Sequence, residues 1–335
     1  MRKRFSADSY VQGILAGDRI MLGRAITVTE SRLPEDKKLA AEILTRILPK
    51  TGKSVRIGIT GIPGVGKSTF IEAFGEYLTL QGMRVAVLAI DPSSKKSGGA
   101  ILGDKTRMEK LSHNVRAFIR PSATGLSLGG VARSTREAML LCEAAGYEVI
   151  LVETVGVGQS ETLVKGMTDF FLLLMLAGAG DELQGIKKGI MEMVDAIAVN
   201  KADGENEKTA NQAVSEYQNA LHLFPAAESG FQAKVIACSG LYGKGMDTIW
   251  EMIGEYQKIT KLNGFFLKNR QLQNADWMHD YIRQTLADLF YENAEVKAML
   301  PAMENAVREE KLLPPQAAND LIDKFFKSQI FMNKS

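Results

Sequence analysis

Up to about Pro49, apolar positions recur at intervals of three and four: Val11, Ile14 and Leu15, then Leu39, Ile43, Leu44, Ile47 and Leu48. That period predicts helices with one buried face. From Val55 the period changes. Val55-Arg56-Ile57-Gly58-Ile59-Thr60 reads as a strand, followed at once by a Gly-rich turn and a helix from about Lys67 to Gln81. Further strands are predicted at Val85 to Ile90, Val149 to Val152, Phe170 to Leu176, Ala196 to Val199 and Val235 to Ala237. Helical stretches such as Arg133 to Ala145 and Lys208 to Leu221 separate most of them. Near-continuous apolar strands alternating with helices indicate an α/β core whose mostly parallel sheet is covered on both faces. After Gly264 the pattern is helical to the end, with breaks expected at Pro301 and at Pro314-Pro315. The expected organisation is a helical extension over 1–50, an α/β domain over 51–262 and a helical arm over 263–335.

Composition narrows the classes. Apolar residues make up 45% of the 335, enough for a sizeable core. The net charge of +2 marks neither a nucleic-acid binder nor a membrane binder. No apolar segment follows the basic start at Arg2, Lys3 and Arg4, and the longest apolar run, Phe170 to Ala177, is too short to cross a bilayer. Cys142 and Cys238 stand far apart with no ligand spacing and read as reduced, packed thiols of a cytoplasmic protein. His113, His222 and His279 are scattered, without partners at zinc-ligand spacing. Trp277, Tyr281 and Leu289 lie at helical spacing and read as packing, and Met175, Met191 and Met193 as core filler.

Candidate chemistry sits at the carboxyl ends of the predicted strands. Gly61-Ile62-Pro63-Gly64-Val65-Gly66-Lys67-Ser68, followed by Thr69, fits G-x-x-x-x-G-K-[ST] between a strand and a helix, a P-loop. The glycines let backbone N–H groups turn onto phosphate oxygens, and the helix N-terminus adds partial positive charge. Lys67 is placed to reach the β- and γ-phosphates and Ser68 to ligate Mg²⁺. Glu153-Thr154-Val155-Gly156 ends another strand: a carboxylate for the metal, then a glycine whose N–H can sense the γ-phosphate. Asn200-Lys201-Ala202-Asp203 follows a third strand. The Asp203 carboxylate can accept both the N1–H and the 2-amino N–H of guanine, a donor pair adenine lacks, with the Lys201 stem along the base. Cys238-Ser239-Gly240-Leu241 after the next strand completes a base pocket, so the expected ligands are GTP and GDP. Each pattern alone is unspecific; four in order at strand ends make a specific signal.

Several stretches closely resemble the methylmalonyl-CoA mutase-associated GTPases, the MeaB/ArgK-type family within the dimeric SIMIBI class of P-loop proteins. They are Asp91-Pro92-Ser93-Ser94, Gly98 to Met108, Glu153 to Glu161, and Gly180 to Gly189, with Gly17-Asp18-Arg19 through Thr27 resembling the family's first helices. The resemblance implies a GTPase chaperone that gates adenosylcobalamin loading, protection and repair of an acyl-CoA mutase, with methylmalonyl-CoA mutase the default partner. By the same resemblance, Asp91 and Asp104 belong to a first switch that holds or senses Mg²⁺. Glu153 to Glu161 form a second switch, and Asp181 to Lys188 a third, with Lys187 brought to the nucleotide. The C-terminal arm is expected to join two copies as a homodimer. Glu153 departs from the Asp usual in GTPases, and Val157 stands where a water-positioning glutamine is often found. Slow intrinsic hydrolysis, raised by a partner, follows as an expectation. Two alternatives stay open: a metal-delivery GTPase, and a kinase of an amino-acid transport system.

Overall fold

The computed structural model describes residues 4–90, 108–121, 128–154, 160–177 and 188–332. Three helices open the chain: α1 (Ala7–Leu15), α2 (Arg19–Thr29) and α3 (Pro34–Ile47). Their starts follow from local chemistry. Ser6 caps α1 by accepting from the Ser9 N–H, Asp18 caps α2 by accepting from Ile20 and Met21, and α3 begins on Pro34, whose missing N–H is harmless at a helix start.

Seven parallel strands follow among the described residues: β1 (Val55–Gly61), β2 (Val85–Ile90), β3 (Ala117–Arg120), β4 (Val149–Thr154), β5 (Phe170–Leu176), β6 (Ala196–Asn200) and β7 (Lys234–Ala237). They lie in the order β3-β2-β4-β1-β5-β6-β7. The crossing helices are α4 (Lys67–Leu80), α5 (Glu109–His113), α6 (Leu128–Ala144), α7 (Ser160–Lys165), α8 (Lys188–Met193), α9 (Glu207–Leu221) and α10 (Met246–Leu262). Alternate strand residues enter two separate cores. Ile57, Ile59, Val85, Val87, Leu151 and Leu172 join Phe70, Phe74, Ile249 and Tyr256 on one face. Ala86, Leu88, Ile150, Val152, Phe171 and Leu173 join Tyr10, Ile14, Leu22, Ile26 and Ile43 on the other. Burial on both faces explains why the strands read as unbroken apolar runs. Met175 and Met191 are buried as expected of filler, and both cysteines are buried and free.

The predicted strands are all present, and β3 is an addition. It lies at the sheet edge, its three apolar residues Ala117 to Ile119 closed off by Arg116 and Arg120. The chain divides into two compact units, Met1–Gln273 and Asn274–Ser335. At the end of the first, α11 (Phe265–Glu292) begins. There Arg270 donates to both Asp169 oxygens at 2.7 Å and to the Gly52 and Ser54 carbonyls at 2.7 Å, while its guanidinium lies 4.4 Å from the Phe266 ring centroid.

The second unit contains the remainder of α11, with α12 (Ala294–Arg308) and α13 (Pro314–Met332). Two expectations fail here. Pro301 lies inside α12 and does not break it: the carbonyl that loses its bond is that of Lys297, an exposed residue that water can satisfy. The break falls instead at Asn293, whose side chain caps α12 by accepting from Glu295 and Val296. Tyr281 and Leu289, read as packing, are 42% and 55% exposed. Helical spacing identifies a common face but not what covers it. Among the described residues no helix is long and apolar enough to cross a membrane.

Candidate functional site

In a parallel sheet all carboxyl ends share one edge, so the end of β4 and the segments after β1, β6 and β7 converge there. The turn from β1 to α4 is the Gly-rich loop. Gly64 and Gly66 have φ of 82° and 90°, and a Cβ on Gly66 would stand 3.0 Å from the Asn200 amide nitrogen. The second glycine is therefore required both by its left-handed backbone and by the close approach of the β6 end.

Lys67, the first residue of α4, folds back over the loop. Its Nζ donates to the carbonyls of Gly61 at 2.7 Å and Ile62 at 3.2 Å. Burial lowers the Lys67 pKa, while the charges of Glu153 and Glu161 act to raise it. The next residue, Ser68, donates its hydroxyl to Glu153 Oε1 at 3.2 Å. Glu153 is aligned with Ile59 in the β1–β4 register, which fixes it beside the loop. Behind it the Thr154 hydroxyl donates to that of Thr60 at 2.8 Å, a fully buried tie between the two strand ends. A hydroxyl and a carboxylate in contact are hard oxygen donors of the kind a small divalent cation takes.

The segment after β6 forms the second half. Asn200 is buried, and its amide donates to the Val65 carbonyl at 2.9 Å while its oxygen accepts from the Gly240 N–H at 2.9 Å. It joins the Gly-rich loop to the loop after β7. Lys201 adopts φ of 59°, and its Nζ reaches the Gly64 carbonyl at 3.0 Å. Asp203 is held by the Ser239 hydroxyl, which donates to its Oδ2. The Ser239 loop is closed by a bridge to Lys244, and the Ala202 N–H donates to the Cys238 carbonyl at 2.9 Å. Burial pushes the Cys238 thiol up to about 12, so it stays protonated beside the Asn200 oxygen at 3.7 Å.

The structure thus brings Gly61 to Ser68, Glu153, Asn200, Lys201, Asp203, Ser239 and Gly240 to one edge. Pro63 is exposed in the turn and Thr69 in the first turn of α4, and Leu241 is 71% exposed beyond Gly240. Asp91, Asp104, Gly156 and Lys187 lie outside the described residues. Sequence reasoning gave Asn200 a place at the nucleotide; the geometry adds that its side chain ties the Gly-rich loop to the loop after β7. The Thr60–Thr154 tie carried no motif that would have exposed it.

Fold and loops together define a P-loop nucleotide-binding protein, and its kinship makes it a GTPase. The chain belongs to the family of methylmalonyl-CoA mutase-associated GTPase MeaB, whose profile matches residues 22–295. A Caulobacter vibrioides protein named for GTPase activity is 50% identical over 318 residues, covering 95% of this chain and 97% of that one. The mouse mitochondrial methylmalonic aciduria type A homolog is 43% identical over 332 residues, covering 96% of this chain and 80% of that one. Among solved structures, a LAO/AO transport system kinase superposes with a TM-score of 0.74 at 35% identity, covering 98% of this chain and 99% of that one.

Proposed function

We propose that the protein is a GTP-driven switch serving an adenosylcobalamin-dependent acyl-CoA mutase, methylmalonyl-CoA mutase first among candidates, and that it gates the loading, protection and repair of the mutase cofactor. The observation that carries the reading is the pairing of a phosphate loop, with Lys67, Ser68 and Glu153 in contact range, and a braced guanine-type carboxylate on the same sheet edge. The family's association with methylmalonyl-CoA mutase supplies the partner.

In this reading the Lys67 ammonium leaves the Gly61 and Ile62 carbonyls for the β- and γ-phosphates, trading neutral acceptors for charged ones. Asp203, aimed by Ser239, accepts the two guanine N–H groups. The oxygens of Ser68 and Glu153 fit Mg²⁺, which neutralises developing charge on the phosphoryl group when bound. Asp91 and Asp104 are assigned to the same metal, Gly156 to the γ-phosphate, and Lys187 to a partner-controlled step that stabilises charge in transfer. Domains over 1–50, 51–262 and 263–335, a homodimer formed through the last of them, and a cytoplasmic setting belong to the same reading. Hydrolysis is slow alone and accelerated by the partner.

The test is steady-state GTP turnover by the purified protein with and without the host's methylmalonyl-CoA mutase, beside a Lys187→Ala variant. Acceleration of the wild type but not of the variant supports both the partner and the Lys187 role. No acceleration of either leaves a GTPase and removes the mutase from the account.

A further inference from the structure

Glu161, the second residue of α7, is only 2% exposed. Its Oε2 is buried and has no hydrogen-bond partner among the described residues. A carboxylate oxygen in that condition is costly, because water has been removed and nothing replaces it. The cation whose charge it shares is Lys67, on which Glu153 also acts. Lys67, however, spends hydrogen bonds on the Gly61 and Ile62 carbonyls. Glu153 takes the Ser68 hydroxyl. Two carboxylates therefore act on the Lys67 ammonium, and one buried acceptor, Glu161 Oε2, is left over among the described residues. An empty carboxylate acceptor is what the water shell of a divalent cation would satisfy, since magnesium keeps several of its waters when bound.

We propose that Glu161 is a positioning residue for the metal–nucleotide site, its vacant Oε2 accepting a hydrogen bond from the hydration shell of the divalent cation held by Ser68 and Glu153. The role rests on the reading of this edge as a Mg²⁺–guanine nucleotide site. It gives α7, whose first two residues close the expected second switch, a direct stake in whether the metal is present. Partners of this outer kind orient ligands and strengthen metal binding without touching the ion.

The charge gives the test its sign. A fluorescent GDP analogue is titrated onto the full-length protein in EDTA and across a Mg²⁺ series, for wild type and Glu161→Gln. Without metal, Glu161 only repels the diphosphate, so E161Q is expected to bind about threefold more tightly in EDTA. With metal the order reverses: the Mg²⁺ concentration for half-maximal tightening is expected to rise about tenfold or more in E161Q. Thermal melting of the nucleotide-free variant is expected to match or exceed wild type, because an uncompensated buried charge has been removed. A merely structural Glu161 would weaken binding in both conditions and lower the melting temperature, and that result overturns the role. So does an E161Q whose Mg²⁺ midpoint equals that of a metal-responsive wild type. If E161Q does not fold, Glu161→Asp takes its place: unchanged affinity in EDTA with a raised Mg²⁺ midpoint supports the role, and an unchanged midpoint overturns it. A wild type that binds no GDP, or binds it equally in Mg²⁺ and EDTA, overturns the nucleotide-site reading and this role with it.

Discussion

Replacing Arg270 by Ala is expected to destabilise the first unit more than any conservative change in its cores. Arg270 binds both oxygens of Asp169, whose side chain is 2% exposed, and satisfies the Gly52 and Ser54 carbonyls. Without it Asp169 retains, among the described residues, only the Arg56 N–H, at 2.8 Å, and remains within reach of the Asp195 charge. Removing one partner of a buried ion pair costs about 3–5 kcal/mol, most of it the penalty of the stranded charge. The Gly52 carbonyl belongs to an exposed residue and can turn to water, but Ser54 is buried and its orphaned carbonyl costs about 1–3 kcal/mol more. Relaxation and water entry offset part of the sum, so a loss of about 4 kcal/mol is the expectation, roughly a thousandfold in the unfolding equilibrium. Urea unfolding followed by tryptophan fluorescence and by circular dichroism measures it, with coincidence of the two probes checking that one transition is seen. The double variant Arg270→Met with Asp169→Leu removes the stranded charge and is expected to recover most of the loss. A single variant within about 1 kcal/mol of wild type, or a double variant no better than the single, would refute the argument.

Two further outcomes bear on the nucleotide. Asp203→Asn exchanges a double acceptor for one acceptor and one donor, which loses two charge-assisted bonds to guanine; GDP affinity is expected to fall about a hundredfold or more while xanthosine diphosphate gains, read by competitive titration. Affinities for GDP within about threefold of wild type would remove Asp203 from the base site. The Lys67 pKa is lowered by burial in the free protein, and phosphates raise it on binding. Binding is therefore flat while Lys67 is protonated in both states, and GDP affinity is expected to fall as pH rises through the free-state pKa, because a proton must then be taken up. Guanine N1–H also ionises at alkaline pH, so the comparison is with Lys67→Met, which should show the shallower decline; equal slopes would refute the Lys67 assignment.

The nucleotide edge was legible in the sequence because its chemistry is local. A phosphate loop needs glycines at fixed offsets and a lysine at the head of a helix, and Gly64, Gly66 and Lys67 announce this without reference to anything distant. The strands were legible for a related reason: burial on both faces leaves a run such as Phe170 to Leu176 with no polar position to disguise it. What stayed hidden depends on partners far along the chain. β3 has four residues and gains its place only by pairing with β2. Pro301 looks like a stop until the exposure of Lys297 shows that water can take the freed carbonyl. Asn200 reads as part of the nucleotide motif, and the sequence does not show that its side chain also bonds across 135 and 40 residues, to Val65 and Gly240. That last case has a functional consequence. A side chain that ties the phosphate loop to the base loop makes the two halves of the site one rigid object, so base recognition can organise the phosphate cradle before hydrolysis begins. Glu161 extends the same logic to the metal: the second-switch stretch includes it, but its burial and its vacant oxygen appear only once the chain is folded.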